Sequence, residues 1–162
     1  PVEEPGQVVQ EPEPTKPVTS AKTLANGKEV TEENVLEMLE ELKKEYPAGT
    51  EWGSSSSWSS PVMGYGLECA GYAFMISDKI FGTLPVRTHR NYDNIRPGDI
   101  IEMKNSSGQT YHWSVVTSIP ESDGFYTTCD GNVSGGLVGW NGYGMTSSDK
   151  ESGNIIHTRY PD

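Results

Sequence analysis

Turn signals punctuate the carboxyl-terminal part of this chain so closely that only short strands fit between them. Asn105-Ser106-Ser107-Gly108 and Glu121-Ser122-Asp123-Gly124 are tetrads of residues that bond their own backbone or tolerate positive φ. They delimit strand-like runs at Asp99–Lys104, Tyr111–Ile119 and Phe125–Asp130. A fourth run, Asn154–Tyr160, is closed by Pro161. Short strands joined by tight turns pair antiparallel. Between the third and fourth runs, Gly131–Lys150 is rich in Gly and aromatic residues, and it reads as irregular.

Two helices precede this meander. Thr31 can cap the first, with Glu32 and Glu33 on the positive end of its dipole. Val35, Met38, Leu39, Leu42 and Tyr46 form one apolar stripe, Lys43 and Lys44 suit the last turn, and Pro47 stops the helix. The second helix is predicted from Glu68 to Phe81, with Gly82 just past its end. From Gly49 to Gly66 no period is visible, and the segment reads as a long loop carrying Trp52, Trp58 and Tyr65. Helices followed by an antiparallel meander make an α+β domain.

The chain has 162 residues, with 12 basic against 23 acidic side chains, a net charge of −11. Such a charge, without a basic stripe, argues against nucleic acid or an anionic membrane as partner. No apolar run is long enough to span a bilayer. No secretion signal is present, so a mature or excised fragment is expected. Residues 1–27 are expected to be a disordered Pro/Glu-rich linker from an upstream domain or anchor, because this composition cannot bury enough surface to offset its ordering entropy. Residues 28–162 are expected to form one domain, a monomer joined to further domains through that linker.

The chemistry centres on a thiol. Cys69 falls in the first turn of the second helix, where unpaired N–H groups and the dipole favour thiolate and can hold an oxyanion. A nucleophile needs a base, and the chain has three histidines: His89 in a polar loop, His112 opening a strand, and His157 within one. His112 is the candidate, since a rigid strand can aim it at a helix. Asp130 and Asn132, two apart, would share one side of the third strand, and either could orient the imidazole. Cys129 reads as a core residue. The Cys and His positions lack zinc spacing and no calcium loop is present, so neither metal nor cofactor is expected.

Gly66-Leu67-Glu68-Cys69-Ala70-Gly71-Tyr72-Ala73-Phe74 resembles the nucleophile helix of NlpC/P60 and CHAP peptidases. Arg96-Pro97-Gly98-Asp99-Ile100-Ile101 is similar to the P-G-D strand of that family. His112 with Ser114-Val115-Val116 resembles its histidine strand, and Asp130-Gly131-Asn132 its E-x-N segment. The four motifs occur in the family's order over residues 46–162. Trp113 is bulkier than the residue usual after the histidine, and Asp130 stands where glutamate is commoner.

The resemblance implies a papain-like fold, with a nucleophile helix packed on an antiparallel sheet. It implies a secreted, cell wall-associated cysteine hydrolase cleaving peptide or amide bonds in peptidoglycan. Cys69 would be the nucleophile, His112 the base, and Asp130 or Asn132 the orienting residue. The Cys69 N–H, with the Tyr65 hydroxyl, would hold the oxyanion. Trp52, Trp58, Tyr65 and Trp140 are candidate cleft walls. Two other classes compete: a catalytically inactive binding or adhesion module on the same fold, and a structural domain stapled by a Cys69–Cys129 disulfide.

Overall fold

The computed structural model describes residues 22–145 and 153–162. Residues 1–21 of the expected linker, and the end of the stretch Gly131–Lys150, lie outside the described residues. The described residues form two helices, α1 (Glu32–Glu45) and α2 (Glu68–Phe81), and a 3₁₀ turn at Tyr92–Asn94. They also form strands β1 (Ser57–Ser60), β2 (Gly64–Leu67), β3 (Arg87–His89), β4 (Ile100–Lys104), β5 (Thr110–Val116), β6 (Tyr126–Val133), β7 (Leu137–Met145) and β8 (Ile155–Thr158). The architecture is α+β with antiparallel sheets. β1 and β2 make a hairpin, and the other strands form one sheet in the order β3-β8-β4-β5-β6-β7. Among the described residues no helix is long and apolar enough to cross a membrane.

α1 forms where its stripe predicts, with the Thr31 hydroxyl accepting the Asn34 N–H at 3.1 Å. Val35, Leu39 and Leu42 point into the core beside α2. α2 is buried on nearly every side, from Gly71 through Ser77 and again at Ile80 and Phe81. Full burial of side chains such as Ile76, Ile80 and Phe81 stabilises by about 1.5–3 kcal/mol each. Strand alternation separates two cores. Ile100, Val115 and Cys129 face α2, whereas Ile101, Met103, Val116, Tyr126 and Ile156 pack on the other face with Tyr92 and Ile95.

Glycines set how closely the elements approach. A Cβ on Gly66 would lie 2.7 Å from the Phe74 ring, and one on Gly71 would lie 2.6 Å from the Gly66 carbonyl. One on Gly131 would lie 2.3 Å from Cβ of Tyr72, so β6 lies against α2 only because this position has no side chain.

Four expectations are corrected. Residues 22–27, assigned to the linker, belong to the folded body: Leu24 is buried in the core, and the Ala25 N–H donates to the Ile80 carbonyl at 2.8 Å. Leu24 is a single apolar residue without periodicity, which hid it. The Gly49–Gly66 loop contains the β1–β2 hairpin, whose turn places Gly64 at φ 92°. Gly131–Lys150 contains β7, a strand interrupted by Gly139, Gly142 and Gly144. His89 ends the short edge strand β3, not a loop.

Asp99, from the Pro-Gly-Asp motif, is fully buried at the start of β4. One carboxyl oxygen accepts the Arg96 N–H at 2.9 Å. Burial raises its pKa to about 7, against the opposing pull of a Thr158 hydrogen bond, the Arg96 N–H, and the charges of Arg96 and Arg87. A carboxyl with a raised folded pKa gives stability that is fully present below its unfolded value near 4 and is lost as pH rises through 7. Melting curves of wild type and Asp99→Asn should therefore diverge across this window, with wild type losing ground to the variant from pH 4 to 7. Parallel curves would show that Asp99 ionises as freely as in the unfolded chain.

Candidate active site

The N-terminus of α2 begins at a strained corner. Glu68 has φ 57°, a left-handed value costly for a residue with a Cβ. Three contacts hold it there. Its N–H donates to the Ser56 carbonyl at 3.0 Å, its carbonyl accepts the Trp52 indole N–H at 2.8 Å, and its carboxylate accepts the Asn132 side-chain N–H at 3.3 Å. Leu67 occupies the cap position and offers no side-chain acceptor. The first-turn N–H of Cys69 has no carbonyl four residues back to bond.

β5 and β6 pair only at Val115↔Cys129 and Val116↔Thr128. Toward Thr110 this pairing stops, and α2 packs against both strands. The His112 side chain lies there, with Nε2 2.8 Å from Oδ1 of Asp130 on β6. The Cys69 thiol forms a hydrogen bond with the same imidazole. The imidazole thus links sulfur and carboxylate.

The electrostatics follow from this placement. Burial works to raise the Cys69 pKa. It is outweighed by the His112 hydrogen bond, the Trp113 N–H, the His112 charge and the Ala70 N–H, which together hold the thiol below its ordinary value. His112 moves the other way. Burial alone would lower its pKa, but hydrogen bonds to Asp130 and Cys69 and the charges of both raise it to about 9. Thiolate and imidazolium therefore stabilise each other near neutrality. Cys129 has opposite surroundings: fully buried and beside Asp130, its thiol is pushed well above the usual range. Neither cysteine is in a disulfide, so the staple expected as one alternative is absent.

Asp130 and Asn132 do not share one side as alternation predicts. The pairing of β6 with β7 shifts between Asp130 and Val133, and Asn132 has φ 57°. Asp130 faces His112, and Asn132 turns to Glu68. The other histidines lie elsewhere: His157 Nε2 is 2.9 Å from Oε1 of Glu102, and Nδ1 of His89 accepts the Asn91 N–H.

The aromatic candidates divide. Trp52 is half-buried at the start of α2, its ring edge-on to Tyr72 at 5.8 Å. Tyr65 is 65% exposed on β2, and Leu67 is 50% exposed two residues before Cys69. Trp58 and Trp140 are anchors rather than walls. The Trp58 indole donates to Asp78 near the far end of α2, the Trp140 indole donates to the Tyr46 carbonyl, and both rings pack on the core. Trp113 turns away from the imidazole and packs edge-on against Phe74 of α2 at 5.4 Å.

Sequence reasoning missed Ser114 and Thr128. Both are fully buried, and both donate to Asp130, Ser114 to Oδ1 and Thr128 to Oδ2 at 2.8 Å. A signal was present: Ser114 lies two residues after His112 and Thr128 two before Asp130, the spacing that shares a strand face. Comparison of the chain with protein-family models, with curated proteins and with solved structures finds no match.

Proposed function

We propose that this domain is a papain-like cysteine hydrolase, related to the NlpC/P60 and CHAP peptidases, that cleaves amide or peptide bonds in cell-wall peptidoglycan outside the cell. The observation that carries the reading is the link from the Cys69 thiol through His112 to the Asp130 carboxylate. A buried core thiol needs no imidazole, and a structural histidine needs no thiol at a helix N-terminus left without a side-chain cap.

The mechanism follows from these groups. The Cys69 thiolate attacks the carbonyl carbon, and the new oxyanion is held by the Cys69 N–H, with the exposed Tyr65 hydroxyl as second donor. The His112 imidazolium gives its proton to the departing amine, leaving a thioester on Cys69. Neutral His112 then takes a proton from water, which attacks the thioester, and the acid product leaves with the thiolate restored. Asp130 holds the ring in register and stabilises its charged form. Trp52 and Leu67 flank the nucleophile and would line the substrate path. Trp113 faces away from the ring, so its bulk does not obstruct this chemistry.

Mass spectrometry of soluble muropeptides tests the reading. Incubation of the protein with purified peptidoglycan should release fragments with new amine termini, and Cys69→Ala should release none. Asp130→Ala should lower the rate by about a hundredfold or more, and Asn132→Ala by much less. An unchanged digest in the presence of a reactive Cys69 would point to a binding module instead.

A further inference from the structure

Three side chains converge on the Asp130 carboxylate, and the catalytic scheme uses only one of them. His112 and Ser114 both reach Oδ1, and Thr128 donates to Oδ2. A carboxylate can only accept, so each hydroxyl directs its single proton at Asp130. Ser114, Thr128 and Asp130 are all buried, and a buried carboxylate with an incomplete donor shell is costly.

The place of these contacts in the sheet gives them a second consequence. Backbone pairing between β5 and β6 ends at Val115↔Cys129, the rung before Ser114 and Asp130. Beyond it the ladder is not continued, and α2 packs against both strands. The Ser114–Asp130 side-chain bond therefore spans the strands at the point where their ladder stops. Thr128 sits on the neighbouring paired rung, opposite Val116, and holds the other oxygen from within the same strand. The carboxylate is thus restrained from both sides while His112 stands beyond the last paired rung.

We propose that Ser114 and Thr128 are positioning residues for this site: their hydroxyls clamp Asp130 at the end of the β5–β6 ladder and aim Oδ1 at His112. The inference rests on the cysteine-hydrolase reading for its purpose, but not for its test. The clamp is a property of the resting pair and can be read from thiol reactivity without substrate.

The test is a double-mutant cycle on the rate of Cys69 alkylation by iodoacetamide at pH 6. Ser114→Ala and Thr128→Val should each slow alkylation by about five- to tenfold, while Thr128→Ser, which keeps the hydroxyl, stays within about twofold of wild type. In an Asp130→Ala background the same two changes should each alter the rate by less than about twofold, because the group they position is gone. Equal slowing in both backgrounds would overturn the clamp and leave two ordinary core hydroxyls. Full reactivity of either single variant would overturn it too. Should Thr128→Val fail to fold, Ser114→Ala, which only removes a buried oxygen, carries the cycle alone. Coupling without muropeptide release would keep the clamp and remove the hydrolase reading. Muropeptide release without coupling would do the reverse.

Discussion

Brief treatment with iodoacetamide at pH 6 should label Cys69 about a hundredfold faster than Cys129. The free thiol, with a pKa of about 8.5, is less than about one per cent ionised at that pH, and only the thiolate reacts. Cys69 is held below its ordinary pKa by His112 and by the N–H groups of Trp113 and Ala70. Cys129 is driven upward by burial and by Asp130, and no reagent reaches it in the folded state. His112→Ala should slow Cys69 labelling about tenfold or more, since the variant loses both a hydrogen bond and a charge. In wild type the ion pair dissolves as pH rises through about 9, where His112 loses its proton. Peptide mapping after a timed quench reads both thiols at once. Equal labelling, or indifference to His112→Ala, would remove the thiolate–imidazolium pair and with it the nucleophile.

Arg159→Met should cost about 3–5 kcal/mol, lowering the melting temperature by about 10 °C. Arg159 is fully buried on the segment after β8 and serves the far end of α2. Its guanidinium donates to the Leu84 carbonyl at 2.8 Å, the Gly82 carbonyl at 2.7 Å, the Ser77 hydroxyl at 3.2 Å and the Asp78 carboxylate at 2.7 Å. Methionine fills the volume but leaves these carbonyls and a poorly solvated Asp78 without their cation. Asp78 also accepts from the Trp58 indole and the Ser60 hydroxyl, so the loss spreads to the β1–β2 hairpin packed on α2. Adding Asp78→Asn should recover part of the stability, because the uncompensated charge goes. A single variant that melts within two or three degrees of wild type would show that water replaces the guanidinium there.

The legible parts of this fold are those where local chemistry and tertiary packing agree. α1 has a cap, a stripe and a stop, and α2 ends at a glycine with φ 62°, so both are found where the residues predict. The missed parts are those where packing overrides composition. Ser57-Trp58-Ser59-Ser60 has few strand formers, yet Trp58 is anchored on Asp78 and Gly66 and Gly71 let the hairpin lie flat on the helix. β7 carries three glycines that weaken any strand pattern, and its register comes from β6. At the site, Cys69 and His112 stand out because their chemistry is rare in the chain. The choice between Asp130 and Asn132 was not legible, because a bulge decides it. Ser114 and Thr128 were not weighed, because hydroxyls on strands are common and only their convergence gives them meaning.

The sheet order also has a consequence for synthesis. β8, the last strand in chain order, lies between β3 and β4, and β3 has β8 as its partner. As the chain is synthesised, α2 appears long before the strand that joins the sheet or the arginine that ties down its far end. Until then the sheet lacks its bridging strand, and the far end of the helix lacks its arginine. Cys69, His112 and Asp130 all precede β8 in the chain, so the sheet that carries them is completed only after each of them has emerged.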